Sequence, residues 1–109
     1  MSKYKNVKIE IDGIKFDSKK EGYRYAELKL LEKSGVISDL KRQVIFELQP
    51  SFYCKGKKER SIKYVADFTY IQNGEYIIED VKSPITKNNQ VYKMKRKMMR
   101  YRGYDIKEV

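Results

Sequence analysis

SIKYVADFTYIQNGEYIIEDVK, residues 61–82, decides the fold. Two runs rich in Tyr, Val, Ile, Phe and Thr, Ser61 to Ile71 and Glu75 to Lys82, flank Asn73-Gly74. Asn-Gly is the strongest short hairpin signal, because a type I′ turn needs positive φ at both central residues. With a two-residue turn, Gln72 faces Glu75, Asp67 stands across from Asp80, and Val65 stands across from Lys82. Alternation along each strand then places Val65, Asp67, Thr69, Ile71, Tyr76, Ile78, Asp80 and Lys82 on one face. Ala66, Phe68, Ile77, Glu79 and Val81 fall on the other, where Glu79 has a salt bridge as its simplest role.

Two carboxylates therefore oppose each other among apolar neighbours. Like charges directly opposite destabilise a sheet by a few tenths to about 1 kcal/mol, and partial burial pushes one of the pair toward protonation. Such a pair needs a compensating cation. Lys82, two positions on, is one candidate. A divalent metal is the other, since Mg²⁺ takes hard oxygen ligands: one or two carboxylates plus water and substrate phosphate.

Working outward, the upstream sequence reads as a hairpin, a helix and a strand. Val7, Ile9 and Ile11 alternate with polar residues, Asp12-Gly13 is a favoured turn, and Ile14 and Phe16 resume the alternation. A helix is expected from Lys19 to Lys33, with Ser18 as N-cap, Glu21 completing a capping-box pattern and Gly35 as C-cap. Leu28, Leu30 and Leu31 supply its apolar surface. A strand follows over Gln43 to Gln49, bounded by Pro50, and a basic loop covers Lys55 to Arg60. Downstream, Pro84 closes the second strand, a helix runs from Asn89 to Arg102, Gly103 ends it, and Tyr104 to Val109 form a last strand. The expected order is ββ-α-βββ-α-β, a mixed α+β (α/β) class, and residues 1–109 read as one domain.

Composition narrows the chemistry. The 109 residues carry 25 Lys+Arg against 15 Asp+Glu, a net charge of +10, with no histidine and one cysteine. Without histidine there is no Ser-His or Cys-His triad and no imidazole zinc site. A lone Cys54, expected as a part-buried inert thiol, excludes an internal disulfide and fits a reducing compartment. The first residues show no secretory h-region. No apolar run approaches the 18 or so residues that span a bilayer, so no membrane partner and a cytoplasmic location are expected. The excess positive charge points to a polyanion, most often nucleic acid.

That charge is concentrated. No acidic residue lies between Asp80 and Asp105. Within the second helix, Val91, Met94, Met98 and Tyr101 recur as an apolar stripe expected to face the sheet. Lys93, Arg96, Lys97 and Arg100 are then expected on the solvent face as DNA-phosphate contacts, with Lys95 beside the stripe and able to lean toward the acidic pair. A second basic group, Lys55, Lys57, Lys58, Arg60 and Lys63, precedes Asp67. Tyr92 and Tyr104 are candidates for stacking on bases. Lysine and arginine of this kind position a backbone without reading sequence.

Asp67, then twelve residues, then Asp80-Val81-Lys82 resembles the D…(D/E)-x-K signature of the PD-(D/E)XK nuclease superfamily. Ala66 stands where the name-giving proline would be. The superfamily core, a helix, a three-strand meander, a helix and a strand, resembles Lys19 to Val109 in order, and would make this a restriction-endonuclease-like α-β-β-β-α-β core after an N-terminal hairpin. Phe16-Asp17-Ser18-Lys19-Lys20-Glu21 is similar to the first-helix motif of small phage and prophage Holliday-junction-resolvase-like endonucleases. The resemblance implies a Mg²⁺- or Mn²⁺-dependent DNA endonuclease directed at branched DNA, working as a homodimer, in the host cytoplasm if phage-encoded. It implies Asp67, Asp80 and the Val81 carbonyl as metal ligands, Lys82 as the residue that positions the attacking water, and Glu21 as a further ligand from the helix. A pure capping role for Glu21 stays open.

Overall fold

The computed structural model describes residues 8–109. Residues 61–82 form the centre of a four-stranded sheet. Strand β6 (Ile62–Gln72) turns through Asn73 and Gly74, both at positive φ, into β7 (Glu75–Asp80). The ladder runs from Gln72↔Glu75 to Phe68↔Glu79, the register expected from a two-residue turn. On its other side β6 pairs antiparallel with β3 (Ser38–Gln49), which begins five residues before the expected start. Strand β8 (Ile106–Glu108) lies parallel to β7, giving the order β3-β6-β7-β8. The class is mixed α+β, as expected.

The N-terminal hairpin, β1 (Ile9–Ile11) and β2 (Ile14–Phe16), rests on helix α1 (Lys19–Lys33). Val7, expected in the first strand, lies outside the described residues. Gly22 makes the close approach possible, because a Cβ there would stand 2.6 Å from Ile9 Cγ2. Ser34 is the C-cap of α1, and Gly35 follows at φ +84°. A short helix α2 (Pro84–Lys87), begun by a Ser83–Thr86 capping box, was not expected and leads into α3 (Gln90–Tyr101) with Asn89 as N-cap. Among the described residues, no helix is long and apolar enough to cross a membrane.

Lys55 to Arg60 is not a loop. Strands β4 (Phe52–Cys54) and β5 (Lys57–Glu59) pair as a hairpin through Lys55-Gly56, with φ of +52° and +77°. Lysine is an uncommon occupant of that left-handed position, so the turn carried no sequence signal. The hairpin is exposed throughout, and Cys54 with it, so the thiol is not part-buried.

Two small cores lie on opposite faces of the sheet. Leu48, Tyr64, Ala66 and Ile78 pack with Tyr92 and Met99 of α3. Phe68 and Tyr70 pack with Phe16, Tyr25 and Leu28 on the α1 side. Ala66 and Phe68, two apart on one strand, thus face opposite ways, which corrects the single face assigned to them. The alternation is reset at Asp67 in β6 and at its neighbour Gln43 in β3, which takes φ +50°. In β3 the same reset puts Leu40 on the α1 side and Phe46 on the α3 side.

Helix α3 is rotated from expectation. Its buried residues are Tyr92 and Met99, and Lys95 and Arg96 are part-buried between them. Val91, Met94 and Tyr101 are exposed, Tyr101 at 93%. The inward face carries long cationic side chains with apolar stems, and the end of Arg96 binds Glu108, so hydropathy alone misplaced it.

Candidate active site

Beyond Phe68↔Glu79 strands β6 and β7 part, and two aspartates bridge the gap. The Asp67 carboxylate accepts the Val81 N–H at 2.9 Å, and the Asp67 N–H donates to the Asp80 carboxylate at 3.2 Å. Asp67 sits at the reset in the strand, where Gln43 Nε2 donates to its other oxygen at 3.3 Å. Asp80 points to the α3 side and is buried. There it accepts the Tyr64 hydroxyl at 2.5 Å, and Lys82 Nζ lies 3.4 Å away. The Lys82 ammonium also stands 4.2 Å over the Tyr92 ring, a cation–π contact that keeps it beside Asp80.

Glu21 approaches from α1. Ser18 caps the helix by accepting the Glu21 N–H at 3.2 Å, so only half of the expected capping box is present and the Glu21 carboxyl is left to face the sheet. Burial, and then the charge of Asp67, push that carboxyl up to about 7, against the opposing pull of Arg42. Burial and Asp67 likewise push Asp80 up to about 6, with the Tyr64 hydrogen bond and Lys82 pulling it down. The Glu21 carboxyl on α1 thus feels the charges of Asp67 on β6 and Asp80 on β7. Every side-chain donor there is a hard oxygen, the chemistry Mg²⁺ or Mn²⁺ requires. As placed, and among the described residues, no three acids stand close enough together to enclose an ion.

The α1 side of the sheet holds the site's frame. Glu79, fully buried, is bound by Arg24 through Nε at 2.5 Å and Nη2 at 2.9 Å, and accepts the Tyr70 hydroxyl at 2.5 Å. This is the salt bridge expected for Glu79. Lys20 Nζ donates to the Lys82 carbonyl at 2.9 Å, tying the start of α1 to the segment that follows β7.

The remaining basic candidates separate. Lys57, Lys58 and Arg60 are exposed on and beside the β4–β5 hairpin. Lys97 and Arg100 are exposed on α3, Arg100 lying 3.4 Å from Asp105, and Lys93 is part-buried. Arg96 is not on the solvent face: it binds Glu108 at 3.1 Å, beside the Tyr92 hydroxyl that donates to the same carboxylate. Tyr92 is buried and not placed to stack on bases, and Tyr104 packs on Phe46. Arg102, outside the candidate set, donates to the carbonyls of Glu47 and Leu48.

Sequence reasoning missed Gln43, Tyr64, Arg24 and Arg42. Arg42 stacks over Phe16 at 4.7 Å, its Nε buried without a partner, and it is the cation that moderates Glu21. It lies one residue outside the expected strand start, so no alternation marked it.

Neither a curated protein nor a solved structure matches the chain. One family model covers residues 1–109, and the chain belongs to that family, described as Protein of unknown function (DUF1064).

Proposed function

We propose that the protein is a Mg²⁺- or Mn²⁺-dependent DNA endonuclease of the PD-(D/E)XK kind, restriction-endonuclease-like in its core, acting on branched DNA as a homodimer. The observation that carries the reading is the Asp67–Asp80 pair at the end of the β6–β7 ladder, with Lys82 Nζ 3.4 Å from Asp80, on a chain of net charge +10. Asp67, Asp80, the Val81 carbonyl and Glu21 would hold the metal, which supplies a Lewis acid and a water of lowered pKa for phosphodiester hydrolysis. Lys82, held against Asp80, aims an ammonium where negative charge grows on the phosphate. Asp80, kept in place by Tyr64 and the Asp67 N–H, fixes that geometry from the protein side. Homodimerisation supplies a second site for a paired cut, by analogy of fold.

A second reading is a nucleic-acid-binding module without catalysis. One observation favours it: the Asp67 and Asp80 carboxylates already accept backbone N–H groups, a structural use that needs no metal.

A panel of labelled four-way junction, flap, nicked, linear and single-stranded DNA, each with Mg²⁺ and with EDTA, tests both. Cutting of branched forms in Mg²⁺ alone, lost in Asp80→Asn, supports the nuclease. Binding without cutting by the wild-type chain supports the module.

A further inference from the structure

On the α3 side of Asp80, a cleft of about 380 Å³ opens between residues 63–65 of β6 and the α2–α3 segment. It exists because the β6–β7 ladder stops at Phe68, leaving the first half of β6 without a neighbour on that side. Three ammonium groups border it, those of Lys63, Lys82 and Lys95. No acidic residue is among those lining it, and among the described residues Lys63 and Lys95 make no ion pair. Val65 and Val91, 42% and 55% exposed, supply apolar wall on either side. Thr86 and Asn89 add polar groups at the rim.

We propose that this cleft seats one nucleotide of an unpaired strand, with its phosphate between Lys63, Lys82 and Lys95 and its sugar and base against Val65 and Val91. The proposal rests on the nucleic-acid reading of the site and names the substrate class: DNA that presents a single strand beside the scissile phosphate. The volume lies near the lower end of ligand sites and matches one nucleotide. A continuous duplex turns its bases inward, so it can offer phosphates to the rim lysines but no sugar and base to the valines. A cationic groove with apolar surface along it is the usual means of holding a single strand without reading sequence. Lys82 joins this cleft to Asp80, so a nucleotide seated here lies next to the proposed point of cutting.

The test is metal-free and therefore independent of cleavage. Hexathymidylate is titrated in EDTA against the isotope-labelled protein, with amide shifts recorded. The expected result is shifts at residues 63–65 and 86–95. Lys63→Gln and Lys95→Gln should each weaken binding several-fold, while Lys33→Gln, the same charge change on α1, leaves it unchanged. A long blunt duplex, which reaches only the rim lysines, should move the cleft amides less than hexathymidylate and spare those of Val65 and Val91. The proposal is overturned if hexathymidylate shifts only the β4–β5 hairpin, if both lysine variants bind like wild type, or if the duplex perturbs the cleft equally. A chain that never cuts DNA in Mg²⁺ yet gives the expected shifts keeps the cleft assignment and loses the nuclease reading.

Discussion

Asp67 and Asp80 hold each other's strands: the Asp67 N–H donates to the Asp80 carboxylate at 3.2 Å, and the Asp67 carboxylate accepts from Val81, next to Asp80, at 2.9 Å. The pair stands where the ladder ends, so the two side chains serve as its last rungs. Removing such an acceptor leaves a part-buried N–H unpaired.

Asp67→Ala is accordingly expected to lose about 1–3 kcal/mol of stability, the range for a stranded buried donor. Asp67→Asn keeps an acceptor oxygen and should stay within about 1 kcal/mol of wild type. Both should abolish Mg²⁺-dependent cutting. Urea unfolding and the cleavage panel measure the two effects separately. Equal loss of stability in both variants would remove the hydrogen-bonding account.

The stability contributed by Glu21 and Asp80 should fall as pH rises from the acidic range to neutrality. Glu21 and Asp80 are pushed up to about 7 and about 6, so the folded chain keeps protons that the unfolded chain releases. Where the folded state binds more protons, raising pH favours unfolding. The stabilisation is fully present below about pH 4 and is lost between there and about pH 7. The Glu21 carboxyl is partly in water, which screens its share, so the expected total is roughly 1–3 kcal/mol. Glu108, held down by the Tyr92 hydroxyl and Arg96, acts in the opposite sense and loses its contribution as pH falls through the acidic range. Unfolding midpoints from pH 4.5 to 8 read the balance. Asp80→Asn should flatten the decline, and an unchanged slope in that variant would refute the assignment.

Arg24→Met should be among the most damaging changes outside the apolar core. It strands Glu79, which is fully buried, and breaking one side of a buried pair costs about 3–5 kcal/mol. The double variant Arg24→Met, Glu79→Met should recover most of that loss, because the desolvated charge is gone. Thermal unfolding of the two variants compares them. A double variant no better than the single would mean that α1 docks by the pair itself.

Two arginines one turn apart on α3 should behave differently. Arg96 binds Glu108 from a part-buried position, whereas Arg100 and Asp105 are both exposed, where a pair is worth little. Arg96→Ala should lower the melting temperature and leave the salt dependence of DNA binding unaltered. Arg100→Ala should do the reverse, reducing the slope of log K against log salt by about 1 if it touches a phosphate. The same loss of slope in both would place Arg96 on the nucleic-acid surface.

The hairpin register was legible because Asn73-Gly74 admits one turn type and both flanking runs are strongly β-forming. That register brings Asp67 and Asp80 to the end of the ladder. The expected Asp67–Asp80 and Val65–Lys82 ladder pairs do not form, because the strands part after Phe68↔Glu79 and the two carboxylates bond backbone N–H groups across the gap. The alternation beyond Asp67 was not legible. Nothing in Ala66-Asp67-Phe68 signals a reset, and Gln43 at positive φ is no usual turn residue. The orientation of α3 failed for a different reason. Of its most apolar line, Val91, Met94 and Tyr101 are exposed and Met98 alone packs on the core, while the inward line includes part-buried Lys95 and Arg96, whose merit depends on the cleft and on Glu108. Such partners are fixed by tertiary packing, which periodicity does not contain.

The reset at Gln43 and Asp67 also bears on cooperativity. One long β-ribbon serves two small cores, and its direction of burial changes between them. Each half therefore has its own helix to lose: α1 on one side, α3 on the other. Native-state hydrogen exchange should resolve two opening units with different free energies, one spanning α1 with the turn half of β6–β7, the other spanning α3 with the first half of β6. The acidic pair stands on the hinge line between those units, where partial opening of either would spread the carboxylates without unfolding the chain.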